Sequence, residues 1–152
     1  MPGLDDLYRE IILDHYRSPR NRGELPPPAS HAVGHNPLCG DEIEVYLDVQ
    51  DGIVTDIKVG GQGCSISQSS ASMMSQAVKG KPVAEVRALV HRFKSMMSIE
   101  EADEDAPEVK LGDLEALQGV VKFPVRIKCA VLAWNTLTEA LSTSDAGGDT
   151  TR

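Results

Sequence analysis

Three cysteines and one aspartate are the residues whose types and positions suggest metal or thiol chemistry in this sequence. Cys39 lies in the segment NPLCGD, Asp41 follows it closely, Cys64 comes after the glycines of GGQG, and Cys129 precedes an apolar helical segment. An odd and small number of cysteines argues against a disulfide framework, so metal binding or thiol chemistry is the main alternative to plain burial. No CxxC pair is present, and the long-range spacing does not distinguish a metal site from separate thiols.

The residues around the cysteines favour thiolates over buried thiols. Predicted helices begin just after Cys64 and at Cys129, and the unpaired N–H groups and dipole of a helix N-terminus stabilise a thiolate. Gly40, Asp41 and Gly63 bring backbone and charge next to two of the cysteines, whereas a core cysteine has apolar neighbours. For each cysteine the alternative of a small buried hydrophobic residue stays open, most of all for Cys129.

A convergence of the three thiolates with Asp41 would form a closed tetrahedral S₃O site suited to a divalent metal ion. A carboxylate matches such a soft site less well than a fourth thiolate does, so Asp41 suggests an exchangeable position. The alternative is an ordinary turn carboxylate. Arg126 and Lys128, just before Cys129, can offset the excess negative charge of the site, or they are simply exposed residues of a strand.

Composition and charge predict one soluble, acidic domain. The 152 residues suffice for a single hydrophobic core, and no segment approaches the roughly 20 apolar residues that span a bilayer. The formal net charge of −8 repels phosphate backbones, so neither nucleic acid nor a membrane is an expected partner. The N-terminal segment contains no secretory or transit signal, which predicts a cytoplasmic protein. The acidic segment 100–108 is interpreted as a solvated loop.

The hydrophobic periodicity predicts an α+β fold in which strands and helices are segregated. We expect a single domain of residues 1–142 and a disordered tail of residues 143–152. The glycines of GGQG predict a turn, because the segment lacks the residues of a phosphate loop. The predicted elements are a helix at 4–16, an irregular proline-rich connection at 17–37, a β-hairpin at 43–59, a helix in SISQSSASMMSQAVKG, a helix from about 83, a short helix at 111–118, an extended PVRIK and a helix from Cys129.

Three segments together, NPLCGDEI, GGQGCSISQSSASMM and RIKCAVLAW, resemble those of the U-type iron–sulfur cluster assembly proteins, the SufU and IscU family. The resemblance runs from about Leu7 to Leu141. It implies an α+β fold with a small antiparallel sheet, helices packed on one side, and a metal site at one tip. The metal ligands that it implies are Cys39, Asp41, Cys64 and Cys129.

Within that family the chain resembles the SufU branch more than the scaffold branch. The scaffold branch usually has a histidine immediately before the third cysteine and a Leu-Pro-Pro-Val-Lys chaperone motif nearby. This chain has Lys128 in the first position and PVRIK in place of the motif. The stretch from about residue 99 to 121 also resembles the SufU branch. The resemblance therefore implies a zinc-dependent sulfurtransferase that accepts persulfide sulfur from a SufS-like cysteine desulfurase.

The resemblance also implies a mechanism in which Cys39 is the sulfur acceptor. Zinc protects Cys39 as a thiolate, a histidine of the docked desulfurase takes a metal position, and the freed thiolate attacks the persulfide. Downstream iron–sulfur assembly proteins are the expected recipients. One alternative is a scaffold that binds iron or a 2Fe–2S cluster with the same ligands. The other is an adaptor in which zinc only stabilises the fold.

Overall fold

The structure is a computed structural model that describes residues 2–37, 40–97 and 111–150. The acidic segment 100–108 and Cys39 lie outside the described residues, as does most of the stretch 99–121. In chain order the elements are α1 (Pro2–Arg17), β1 (Ser30–Asn36), β2 (Asp41–Gln50), β3 (Ile53–Gln62), α2 (Ser65–Val78), α3 (Val83–Met96), a 3₁₀ helix (Gly112–Lys122) and α4 (Pro124–Thr150).

The three strands form one antiparallel sheet in the order β1-β2-β3. Asn36 pairs with Asp41, and Glu42 pairs with Gln62. The end of β1, the start of β2 and the end of β3 therefore lie together at one end of the sheet. This end carries the segments in which the cysteine motifs occur.

Helices α2 and α4 pack against one face of the sheet. Ile43, Val45 and Leu47 alternate along β2 toward this face and are almost fully buried, as expected of a half-covered strand. Trp134 of α4 stacks on Phe93 of α3, with 4.4 Å between the ring centroids. The α+β class with an antiparallel sheet and helices on one side is therefore confirmed.

Helix α1 is anchored through a buried histidine. The ring of His15 is 1% exposed and lies 2.8 Å from the hydroxyl of Ser72 in α2. Its other nitrogen lies 3.1 Å from the carboxylate of Asp113 in the 3₁₀ helix. His15 therefore joins three helices around the segment that carries Cys64.

The strand β1 was not predicted, because residues 17–37 show little apolar periodicity. Its segment SHAVGHN forms a strand through its register with β2 and its contact with α4. At Gly34 an added Cβ would overlap the hydroxyl of Thr136, so the glycine allows α4 to approach the strand closely. Strand formation here depends on tertiary neighbours more than on local propensity.

The interpretation of PVRIK as an extended segment is wrong. Helix α4 begins at Pro124, which suits the first helical position because proline has no N–H to leave unpaired there. Cys129 therefore lies inside α4, beyond the N–H groups that the first turn leaves unpaired. The prediction that a helix N-terminus stabilises a Cys129 thiolate is therefore wrong.

Helix α4 continues to Thr150, whereas the sequence predicts a disordered tail from residue 143. Extending an existing helix costs much less than starting one, and the preceding turns of α4 are packed in the core. The division into a domain of residues 1–142 and a tail remains a prediction. Across the described ranges, no helix combines the length and the apolar character that crossing a membrane requires.

Candidate metal centre

Asp41, Cys64 and Cys129 converge at the end of the sheet where β1, β2 and β3 meet. One ligand atom from each lies within 4.8 Å of the others. Asp41 is the first residue of β2, Cys64 lies between β3 and α2, and Cys129 lies in α4. Three of the four predicted ligands are therefore brought together, and the fourth, Cys39, lies outside the described residues.

The Asp41 carboxylate is buried and oriented by the backbone of Cys64. The N–H of Cys64 donates a 2.9 Å hydrogen bond to Oδ1 of Asp41, while Oδ2 lies 3.8 Å from the Cys64 sulfur. Asp41 is only 2% exposed. A buried carboxylate beside two cysteine sulfurs needs compensating charge, which a bound cation provides. The donor set therefore fits a divalent metal ion that accepts sulfur and oxygen ligands.

The glycines before Cys64 allow this close approach. A Cβ on Gly63 would overlap Oδ1 of Asp41 and lie 2.8 Å from the hydroxyl of Ser67. Gly61 has a φ of +110°, and a Cβ there would overlap the backbone carbonyl of Glu42. The interpretation of GGQG as a turn is wrong, because β3 continues through Gln62 and pairs with β2 there. Its glycines allow the backbone of β3 to approach β2 closely and place Cys64 against Asp41.

Arg22 joins the end of β3 to helix α2, a contact that the sequence did not predict. Its guanidinium donates to the carbonyl of Gly61 and, at 2.9 Å, to the side-chain oxygen of Gln68. Backbone hydrogen bonds join the neighbouring residues to Val59 of β3. No spacing rule connects Arg22 to this end of β3. The contact forms only because the segment before β1 lies along β3 in the folded protein.

Cys129 is fully buried, and its surroundings differ from those of Cys64. The side-chain amide of Asn36 lies 3.8 Å from the Cys129 sulfur, with Nδ2 as the donor. The sulfur also lies 4.0 Å from the carbonyl of Val125, one turn earlier in α4. Asn36 is 6% exposed and was not singled out in the sequence. The available signal was a polar residue three positions before Cys39, which is too weak to indicate a role.

Arg126 and Lys128 are exposed residues of α4 and not residues of a strand. Arg126 lines a groove together with Cys64, whereas Lys128 lines a different cleft together with Asn36. The two cations therefore border different clefts. Their contribution to the charge balance of the site remains a prediction.

The groove beside Cys64 has a volume of about 660 Å³ and a mostly apolar lining. Tyr8 and Ile12 of α1 and Val120 of the 3₁₀ helix contribute to it, and Phe123, which is 62% exposed, lies at its border. The half-buried Cys64 therefore borders the solvent-accessible groove, whereas Cys129 is buried.

The chain matches known proteins in sequence and in fold. The family model described as the NifU-like N terminal domain matches residues 7–130. The zinc-dependent sulfurtransferase SufU of Bacillus subtilis is 46% identical over 144 residues, which is 95% of each chain. The iron–sulfur cluster assembly scaffold protein IscU of Thermotoga maritima is 42% identical over 135 residues, covering 89% of this chain and 92% of that one.

A solved structure agrees with these relatives. The putative iron–sulfur cluster assembly scaffold protein for the SUF system from Fervidobacterium islandicum matches with a TM-score of 0.78 and 32% identity. The match covers 87% of this chain and 94% of that one. The resemblance seen in the three cysteine-containing segments is thereby confirmed. The chain belongs to the family of NifU-like N-terminal domains, in which its relatives include SufU and IscU proteins.

Proposed function

We propose that this chain is a zinc-dependent sulfurtransferase that accepts persulfide sulfur from a cysteine desulfurase for iron–sulfur cluster assembly. The observation that carries the proposal is the convergence of Asp41, Cys64 and Cys129 within 4.8 Å at the end of the sheet. The 46% identity to a protein named as a zinc-dependent sulfurtransferase supports it. The reaction is placed in the cytoplasm, where thiols are kept reduced.

Cys39 is the proposed fourth ligand and the sulfur acceptor. Asn36 and Asp41 pair directly across β1 and β2, and only four residues separate them along the chain. Because one residue separates Cys39 from Asp41, chain connectivity keeps their Cα atoms within roughly 7.6 Å of each other. This short tether supports a role for Cys39 at the same centre.

The metal ion would be held by the three residues that converge in the structure together with Cys39, which only the sequence singles out. A bound zinc ion keeps its cysteine ligands deprotonated near neutral pH. Asp41 is oriented by the Cys64 N–H, and Cys129 is buried in α4. Three sulfur ligands and one carboxylate form a set suited to zinc. The ligands are Cys39, Asp41, Cys64 and Cys129.

The transfer step is thiolate–persulfide exchange. The Cys39 thiolate attacks the outer sulfur of the desulfurase persulfide, a new S–S bond forms on Cys39, and the S–S bond of the donor breaks. The electron pair leaves on the desulfurase cysteine as a thiolate, so no external oxidant or reductant is required. The rate of such exchange depends on the thiolate fraction and on access to both sulfurs. The cations Arg126 and Lys128 would attract the anionic persulfide.

Metal analysis combined with a desulfurase assay tests this proposal. Protein purified without added metal should contain about one zinc per chain, and adding it to a cysteine desulfurase should accelerate sulfur release from cysteine. The Cys39→Ser variant should lose the acceleration, whereas the exposed control Ser142→Ala should keep it. Full acceleration by Cys39→Ser would contradict the role of Cys39.

The alternative function is a scaffold on which an iron–sulfur cluster is assembled and passed on. The 42% identity to an IscU scaffold protein favours it, and the same ligands can hold iron. Iron with acid-labile sulfide in the purified protein, together with no effect on the desulfurase rate, would support the scaffold.

The other alternative is an adaptor in which the metal only stabilises the fold. A Cys39→Ala variant that stays folded but accepts no sulfur would rule out a purely structural role for the metal.

A further inference from the structure

We propose that Asn36 is a positioning residue whose side-chain amide holds Cys129 as the retained thiolate of the metal centre. This inference rests on the proposed function and deepens it, because it distinguishes the cysteine ligands by their surroundings. Nδ2 of Asn36 donates a hydrogen bond to the Cys129 sulfur.

The contact joins two buried side chains that are distant in sequence. Asn36 is 6% exposed, Cys129 is 0% exposed, and the donor nitrogen lies 3.8 Å from the sulfur. A buried amide is costly unless its N–H groups have acceptors, and the Cys129 sulfur is one such acceptor. Asn36 is also the register partner of Asp41. The strand pair that places one ligand therefore also places the donor to another.

Cys64 has no comparable amide donor among its described contacts. Its sulfur lies 3.8 Å from Oδ2 of Asp41 and 3.8 Å from the hydroxyl of Ser67. The Ser67 hydroxyl donates a hydrogen bond to the carbonyl of Cys64, with 3.1 Å between the two oxygens. Cys64 also borders the 660 Å³ groove, whereas Cys129 is closed off. Within residues 2–37, 40–97 and 111–150, the two cysteine sulfurs therefore differ in both access and hydrogen bonding.

An amide N–H directed at a thiolate stabilises the anion, as hydrogen bonding to any charged form does. The hydrogen bond makes the sulfur a poorer nucleophile, and it favours the deprotonated form in which a cysteine binds a metal ion. Partners of this kind typically change metal affinity by about 10–100-fold when they are removed. Asn36 would thereby keep Cys129 bound while another cysteine takes up sulfur.

Two variants of Asn36 and one matched control test the inference. Asn36→Asp keeps the shape but places a carboxylate oxygen against the sulfur, and Asn36→Leu removes the donor without adding charge. Asn135→Asp makes the same chemical change at an exposed residue of α4 that lines the same 410 Å³ cleft. Circular dichroism of each variant reports whether the fold is kept, and either Asn36 variant alone suffices for the test.

Zinc affinity, measured by competition with a chelator, should fall by about 10–100-fold in the Asn36 variants and stay unchanged in the control. The sulfur-to-metal charge-transfer absorption of the cobalt-substituted protein should shift in the Asn36 variants alone. With zinc in excess, alkylation followed by mass spectrometry should modify Cys129 last in the wild type. In the Asn36 variants its alkylation should accelerate at least about tenfold relative to Cys64.

The outcomes separate this inference from the proposed function. Wild-type protein that binds zinc, together with folded Asn36 variants of unchanged affinity, spectrum and alkylation order, would overturn the role of Asn36 and leave the proposed function intact. Wild-type protein that binds no metal would overturn both. Equal losses in Asn135→Asp would also overturn the inference, because they would indicate a general charge effect.

Discussion

The hydroxyl of Ser70 donates a 2.6 Å hydrogen bond to the backbone carbonyl of Ala130. It also accepts a 3.1 Å hydrogen bond from the indole N–H of Trp134. Ser70 belongs to α2, which begins directly after Cys64, and Ala130 directly follows Cys129 in α4. This buried contact therefore joins the two helices that carry two of the candidate metal ligands.

We expect Ser70→Ala to lower the free energy of unfolding of the metal-free protein by about 1–3 kcal/mol, because it leaves the buried Trp134 N–H and Ala130 carbonyl without this partner. Chemical denaturation measures the change. The exposed Ser142→Ala should change stability by less than about 0.5 kcal/mol. An unchanged free energy of unfolding in Ser70→Ala would show that the hydrogen bond does not hold the helices together.

Gly63→Ala should weaken zinc binding at least about tenfold, the scale of losses when the support of a ligand is disturbed. The added methyl group would overlap the Asp41 carboxylate, so either this carboxylate or the backbone before Cys64 must move. Chelator competition measures the affinity. Gly119→Ala is the matched control, because a Cβ there meets nothing within 4 Å. Equal zinc affinities for the two variants would contradict the close packing of Gly63 on Asp41.

Asp41→Asn separates the structural role of this residue from its proposed role as a ligand. The amide oxygen can still accept the hydrogen bond of the Cys64 N–H, so the metal-free fold should keep its stability to within about 1 kcal/mol. Zinc affinity should fall at least about tenfold, because the carboxylate charge is lost. Titration with zinc and thermal unfolding measure the two effects. Unchanged zinc affinity would exclude Asp41 as a ligand.

Tyr46 should make the protein less stable in strongly alkaline solution. Burial, followed by its hydrogen bond to Glu24, raises the pKa of the phenol above 10.0. The fold therefore favours the protonated form. The contribution of Tyr46 to the free energy of unfolding is fully present below the unfolded pKa near 10.0. It is lost as the pH rises through the higher pKa of the folded state.

The ultraviolet absorbance of tyrosinate, compared between wild type and Tyr46→Phe, measures this pKa. Glu24→Gln should lower it, since the neighbouring negative charge is removed. Stability measured against pH should decline less steeply above pH 10 in Tyr46→Phe. A Tyr46 that ionises below 10.0 in the folded protein would contradict the prediction.

Local patterns in the sequence sufficed for much of the architecture. Alternating apolar residues predicted the β2–β3 hairpin, and apolar residues spaced three or four apart predicted α1 and α3, because these elements are stabilised by contacts between near neighbours. A run of small residues that ends at Gly80 predicted α2. The motifs around the cysteines predicted the family, and the structure brings together three of the four residues predicted as ligands. Strand β1 and the start of α4 were missed, because pairing with β2 and packing on the sheet, more than local propensity, stabilise them.

The arrangement around the ligands depends on contacts between distant segments. Asn36 lies 93 residues from Cys129 along the chain, and Ser70 lies 60 residues from Ala130. No periodicity connects such positions, since their proximity arises only when the sheet and the helices pack together. The residue types in the sequence therefore indicated which atoms can bind a metal. The packed fold decides which cysteine is buried beside an amide donor and which borders open space, because those properties come from neighbours that the chain supplies only after folding.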